Sequence, residues 1–324
     1  MNERGLRILE QYDFKVLSTR RGRGSFICET DQGLKLVTEA GGQVGKLQFQ
    51  NRLLHHLREQ GYPRVDCIVE NAEGNLITVD KDETAYMVKD WFEGRECDTK
   101  SEEDIKSAVR NLAHLHRLMY MEEEAKGYQG APLETELLRR VRELKKVRSF
   151  ILSKQGKNIY ERRYLDSYSV FLEQAVESLG MLKSSCVAQL WERSIRDGRL
   201  CHGEYNQHHI LMGREGIATI DFSRCRYDVQ MVDLYQFMRK ILEKQNWSVR
   251  IGMEILEEYD REKGISREER QYLRIRLAFP EKFWKLANHY YNHNKAWVPG
   301  KHVEKLETLN RQQERRNRFL RMLE

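Results

Sequence analysis

The stretch from Cys201 to Phe222, CHGEYNQHHILMGREGIATIDF, constrains the fold more than any other part of the chain. It sets two short apolar runs around a Gly-containing turn, inside a half that otherwise reads as helix, so the fold must be mixed. His202, Glu204, His209 and Asp221 ride on it at fixed intervals: an acid two residues after a His, a polar residue five further on, then a strand from Ile217 ending in apolar-Asp-Phe. That spacing suits phosphoryl transfer, where catalysis is mostly positioning and charge neutralisation. The first acid takes or orients the proton of an attacking hydroxyl, while an Asn oxygen and the later Asp hold magnesium against the phosphates. Here the acid is Glu204, one methylene longer than Asp, and the Asn slot holds His209. A misplacement of about 1 Å can cost on the order of a hundredfold in rate, and an imidazole nitrogen suits softer metals than magnesium. The spacing is kept and the chemistry is partly altered.

The segment resembles the catalytic loop of the protein-kinase-like phosphotransferases, the superfamily of aminoglycoside and choline kinases, which reads HGD, four residues, Asn. More narrowly, the chain is similar to the CotS-type spore coat proteins of endospore-forming bacteria. That likeness rests on CHGEYNQHHILM, on DLYQFMRKILEKQNW from Asp233 to Trp247 and on FPEKFWKLANHYYNHNKAW from Phe279 to Trp297. It implies an α+β, two-lobed kinase-like fold: a small strand-rich lobe over 1–92, with an antiparallel sheet plus one helix, and a large helical lobe over 93–324 carrying a catalytic-loop remnant at 201–222.

The resemblance also assigns roles. Glu204 and His202 fall at the catalytic positions, His202 and Asp233 as braces of the loop; Asp221 and His209 fall at the metal positions; Lys35 falls where a lysine reaches nucleotide phosphates. The glycine-rich turn Arg20-Arg21-Gly22-Arg23-Gly24-Ser25 would place Gly22 and Gly24 over those phosphates, although hairpin turns take glycines anyway. The helix that should offer Lys35 a Glu offers Gln48 and Gln50. The expectation is a spore coat component or assembly factor with a degenerate kinase-like fold, in which ATP and Mg2+ binding is weak or lost. The alternative is an active ATP-dependent phosphotransferase acting on a small hydroxylated or sugar-like acceptor. Expected partners are other spore coat proteins and a small-molecule or polyanionic ligand, with neither nucleic acid nor membrane, and the expected location is the mother-cell cytoplasm, then the spore coat.

At 324 residues the chain is long enough for two lobes. No apolar run approaches the 18 residues of a membrane span, and the start, MNERGLRILEQYDF, lacks a signal-like apolar core. Cys28, Cys67, Cys97, Cys186, Cys201 and Cys225 are scattered singly, as small apolar residues would be, with late cross-linking as a second use. The net charge of +6 collects in two runs, Arg139 to Arg148 and Arg311 to Arg321, which read as solvated helix faces or as docking surfaces for polyanions. His202, Glu204, His208 and His209 could also be drawn as a zinc or manganese site, but no HExxH-type spacing supports it.

Along the chain, Ser25–Thr30 and Leu34–Val37 flank Asp31-Gln32-Gly33 as a hairpin, and Cys67–Glu70 and Leu76–Val79 read as a second hairpin around Asn71 to Asn75. Between them Lys46–Gln60 has helical spacing, and a strand Tyr86–Trp91 leads into a hinge at Glu93 to Glu96. Glu102–Met121 is helical, and its Leu112-Ala113-His114-Leu115-His116 matches a helix common in the superfamily. Glu134–Arg199 reads as a long helical insertion, and helices resume at Val232. The aromatics of Phe279–Trp297 read as packing or as the wall of an acceptor site.

Overall fold

The computed structural model describes residues 3–22, 24–122, 127–293 and 300–323, so Arg23 and Trp297 lie outside the described residues. The chain forms two compact units, residues 1–128 with 200–226, and residues 129–199 with 227–324. These do not coincide with the 1–92 and 93–324 division expected above, because the catalytic-loop segment is tied to the strand-rich part.

In the first unit a 3-10 segment, Glu3–Gln11, precedes β1 (Val16–Arg21), β2 (Ser25–Thr30) and β3 (Gly33–Glu39); α1 (Val44–Glu59) follows. Then come β4 (Ile68–Val69), β5 (Thr78–Val79), β6 (Ala85–Asp90), β7 (Arg95–Glu96) and α2 (Glu102–Leu118). The sheet order is β1-β2-β3-β6-β4, with β5 also on β6, and the neighbours pair antiparallel. The second expected hairpin does not form: β4 and β5 each pair with β6 and not with one another. Asn71 explains the separation, since its side-chain oxygen accepts from the N–H groups of Glu73 and Asn75, closing a local turn that stands in for the ladder.

Strand parity divides the sheet into two faces. Phe26, Cys28, Val37 and Val88 pack on Ile8, Leu9 and Tyr12 of the 3-10 segment. On the opposite face Leu47 of α1 packs with Ile68 and Met87. α2 starts at Ser101, whose hydroxyl accepts from Asp104 N–H at 3.2 Å, with Glu102, Glu103 and Asp104 in the first turn where the helix dipole favours acids.

β8 (Leu200–Cys201), β9 (Ile210–Gly213) and β10 (Gly216–Thr219) carry the catalytic-loop segment, and β10-β9-β7 form a second antiparallel sheet. Leu200 N–H donates to Met119 C=O at 3.1 Å and Thr219 N–H to Arg64 C=O at 3.0 Å. Tyr62 and Thr219 share a buried 2.7 Å hydroxyl contact. These bonds, and not chain order, put residues 200–226 in the first unit.

The second unit is helical: α3 (Leu133–Ser153), α4 (Ile159–Lys183), α5 (Val187–Arg196), α6 (Met231–Lys244), α7 (Val249–Lys263), α8 (Arg267–Ala278), α9 (Glu281–His293) and α10 (Gly300–Arg321). The expected insertion is thus three helices. The first break is set by a capping box, in which Asn158 and Glu161 bond each other's backbone N–H. The core is aromatic, with Phe283 stacked on Tyr164 at 4.8 Å and on Phe171 at 4.4 Å. Asp233 is fully buried in the first turn of α6.

The two basic runs are not continuous faces. Arg140 is buried against Glu136 and Glu281, and buried Arg316 donates to Gln174 and to the C=O groups of Leu277 and Ala278. Among the described residues all six cysteines are free, with only Cys186 exposed, and no helix is long and apolar enough to cross a membrane.

Candidate functional site

The second sheet face builds a cleft. Ser25 and Ile27 of β2, Leu36 and Thr38 of β3, and Met87 and Lys89 of β6 line it, below Gly22 of the β1–β2 turn. Gln50 of α1, Asp66 ahead of β4, and His209 and Asp221 of the loop segment close it. Its volume of about 580 Å³ falls within the range of small-molecule and cofactor sites.

Lys35 is not part of it. Residues 35 and 37 of β3 face the 3-10 segment while 36 and 38 face the cleft, so the expected phosphate lysine points to the wrong side of the sheet. Its ammonium donates to Asp90 at 2.7 Å and to Gln32 C=O at 3.0 Å, and Asp90 also accepts from Arg58 at 2.9 Å. Lys35 is therefore a structural ion-pair residue. Thr38 stands at a polar, cleft-facing position of that strand, and Gln50, not Gln48, lines the cleft from α1.

Gly22 lines the cleft and donates to Ser25 C=O at 2.9 Å; a Cβ there would lie 2.7 Å from the Ser25 hydroxyl. Gly24 adopts φ +73°, the left-handed conformation the tight turn requires, but does not line the cleft.

The loop itself is held by its own backbone. His202 is fully buried, and both ring nitrogens are engaged: Nδ1 accepts from Glu204 N–H at 3.2 Å, which leaves Nε2 to donate to Ile220 C=O at 3.0 Å. His202 is thus a brace and has no face left for catalysis, correcting its placement among catalytic residues. The Glu204 side chain is exposed, and its C=O accepts from Asn206 Nδ2 at 2.9 Å and lies 2.9 Å from His209 Nδ1. Asn206, 3% exposed, is a loop anchor the sequence reading missed; an Asn between an acid and a His was its only signal.

With Nδ1 turned to the Glu204 carbonyl, His209 presents Nε2 to Asp221 Oδ2 at 3.4 Å. Asp221 takes φ 60°, ψ 63°, a conformation that costs a non-glycine residue about 1–2 kcal/mol and aims its carboxylate at the cleft. Burial alone would raise the Asp221 carboxyl, but the Ser223 contact and the nearby His209, Lys89 and His202 outweigh it and hold it below its ordinary range.

Two groups unforeseen from the sequence complete the wall. Lys89 donates to Asp66 Oδ2 at 3.1 Å, and the same oxygen accepts Asp221 N–H at 3.0 Å. Burial would lower the Lys89 ammonium, but Asp66 and then Asp221 more than offset it, so it titrates above its ordinary value. The available signal was a lone lysine in the apolar run Ala85–Asp90 and a lone aspartate in Val65-Asp66-Cys67-Ile68.

The donor set fits a metal poorly. His208 is spent on Glu96 at 2.6 Å and His202 on the loop, so the zinc or manganese quartet is not assembled. Among the described residues no group of three or more His, Cys, Asp or Glu is placed to hold an ion. Asp221 with His209 offers one carboxylate and one nitrogen, which meets magnesium's demand for oxygen only in part.

The sequence model of the family described as "Spore coat putative kinase YutH" matches residues 6–323. The chain is 22% identical over 330 residues to spore coat protein S of Bacillus subtilis (strain 168), covering 97% of this chain and 92% of that protein. Its structure is similar to an aminoglycoside phosphotransferase from Alicyclobacillus acidocaldarius, with TM-score 0.85, 19% identity and coverage of 97% and 93% of the two chains. It is also similar to a spectinomycin phosphotransferase in complex with ADP and spectinomycin, with TM-score 0.64, 12% identity and coverage of 94% and 92%. An amicoumacin kinase in complex with AMP-PNP and Ca2+ gives TM-score 0.61, 12% identity and coverage of 96% and 92%. The fold is that of the aminoglycoside phosphotransferase, kinase-like proteins.

Proposed function

Because the chain belongs to the spore coat putative kinase YutH family, we propose that it is a component or assembly factor of the spore coat whose kinase-like cleft still admits a nucleotide but transfers phosphate poorly or not at all. The observation that carries this reading is the contact between His209 and Asp221, where an imidazole faces the metal-position carboxylate at 3.4 Å in the slot of an oxygen ligand. A magnesium ion bound by Asp221 would neutralise phosphate charge there, but its second protein oxygen is missing. The longer Glu204 adds a positioning defect for the attacking hydroxyl.

Nucleotides bound to the spectinomycin phosphotransferase and the amicoumacin kinase support a nucleotide as the ligand class. The likeness to spore coat protein S supports residence in the spore coat; synthesis in the mother cell and company with other coat proteins belong to the same proposal. Isothermal calorimetry with ATP, with and without Mg2+, tests the reading. Weak binding with little magnesium dependence is expected, and micromolar affinity with a clear magnesium requirement refutes it.

A second reading is favoured by Asp221 and Lys89, a carboxylate and an ammonium facing one cleft. In it the chain is a working phosphotransferase on a small hydroxylated acceptor, and acceptor-dependent ADP release would establish that instead.

A further inference from the structure

The charges of the cleft are displaced by one strand. Of the residues of β3 whose parity faces the cleft, Leu36 and Thr38, neither is charged, and the buried polar residue that α1 adds to the lining is Gln50, so no ion pair spans strand and helix there. In the β3–β6 ladder Met87 lies opposite Thr38 and Lys89 opposite Leu36, so Lys89 enters the same face from the adjoining strand. Asp66, 1% exposed, meets it and also holds the backbone N–H of Asp221. The second Asp66 oxygen, Oδ1, and the Gln50 amide nitrogen are both buried on this wall and, among the described residues, have no hydrogen-bond partner. Two unanswered polar atoms, one acceptor and one donor, beside an ammonium mark a wall built to meet a polar ligand.

We propose that Lys89, held by Asp66, is the residue that meets the phosphate oxygens of a nucleoside diphosphate or triphosphate in this cleft, in place of Lys35. The proposal rests on the reading that the cleft admits a nucleotide. Lys89 acts by binding and Asp66 by positioning: the carboxylate fixes the ammonium and, through Asp221 N–H, ties it to the residue at the metal position. The glycine turn at Gly22 faces the same space from the other side, where backbone can approach a phosphate without a side chain intervening.

The test compares ADP with adenosine by calorimetry on the full chain, for wild type, Lys35→Met, Lys89→Met, and Lys89→Met with Asp66→Asn. The double change leaves no buried charge without a partner, which guards against loss of fold. Wild type and Lys35→Met are expected to bind ADP about tenfold more tightly than adenosine, the worth of one hydrogen bond to a charged group. Both Lys89 variants are expected to bind the two ligands alike, while keeping the adenosine affinity. Restoring a cation with Thr38→Lys in the double variant is expected to recover the preference for ADP. An unchanged preference in the Lys89 variants overturns the proposal and leaves the nucleotide reading standing, as does equal binding of ADP and adenosine by wild type. Wild type binding neither ligand overturns both.

Discussion

Gly203 sits where the loop's backbone packs against the backbone at Arg224, and replacing it should disturb the loop. Its φ is +84°, and a Cβ built on it would lie 2.1 Å from the Arg224 carbonyl oxygen and 2.8 Å from its carbon. Neither atom belongs to a flexible side chain, so Gly203→Ala must move the backbone of one segment or the other. The left-handed conformation alone costs an alanine about 1–2 kcal/mol, and forcing a methyl into a filled space about 1–3 kcal/mol more. A loss of about 3 kcal/mol is expected in urea unfolding followed by tryptophan fluorescence. The displacement falls on the residue next to Glu204 and His202, so amide exchange should rise across 200–226 before elsewhere. Gly41→Ala is the control, since nothing lies within 4 Å of its Cβ and its φ is not positive. A Gly203→Ala loss below about 1 kcal/mol, or one equal to the control, would refute the close approach and the loop geometry drawn from it.

Replacing His209 by Asn together with Glu204→Asp should raise the magnesium-dependent affinity for ATP by about tenfold, read by calorimetry, since it supplies the missing oxygen ligand; no gain would mean the cleft is blocked elsewhere. His202→Ala leaves the Ile220 C=O and Glu204 N–H without their ring partner and should cost about 1–3 kcal/mol in denaturant unfolding. Phe283→Ala should cost about 3–5 kcal/mol, because its ring lies between Tyr164 and Phe171 in the helical core; a cost under 1 kcal/mol would disprove that packing. Acid should weaken the helical unit through Glu161. Burial would raise that carboxyl, but Lys154, Tyr290 and the Asn158 N–H hold it below its ordinary value. Its contribution is therefore present above the unfolded pKa of about 4.3 and lost as pH falls through the lower folded value. The stability gap between wild type and Glu161→Gln should close on acidification in urea series from neutral pH to strongly acid pH, and a gap independent of pH would refute the assignment.

What the sequence made legible followed local rules. The first hairpin was readable because Asp31-Gln32-Gly33 names its own turn, and Gly33 does take φ +86°. The catalytic-loop hairpin was readable by the same logic. The second hairpin was misread because two apolar runs beside a turn look alike whether they pair together or each pair with a third strand, and only the β6 ladder decides. Lys35 failed for a subtler reason. Period-2 alternation says that Lys35 and Leu36 face opposite ways but not which face the cleft takes, and a one-residue error of parity exchanges the two. Arg140 and Arg316 were hidden inside charge runs, where helical period turns one basic residue of each run inward to meet Glu281 or helix carbonyls.

The same parity argument bears on why the cleft keeps a defined shape with no lysine on the cleft side of β3. A cation on the cleft side of β3, at position 38, would stand opposite Met87 and near the uncharged Gln50 of α1. Lys89 instead stands on β6, which is bonded by β3, β4 and β5 and is the best-supported strand of the sheet. Its partner Asp66 lies two residues ahead of β4, where the Asn51 side chain accepts the Ile68 N–H at 2.8 Å and so fastens that segment to α1. One Asp66 oxygen then serves both Lys89 and the Asp221 backbone, so the cation and the metal-position carboxylate cannot shift independently. That coupling is made of the protein's own groups, a buried ion pair and a backbone N–H. A change at His209 alone would therefore leave this wall of the cleft intact, because neither Asp66 contact involves the His209 side chain.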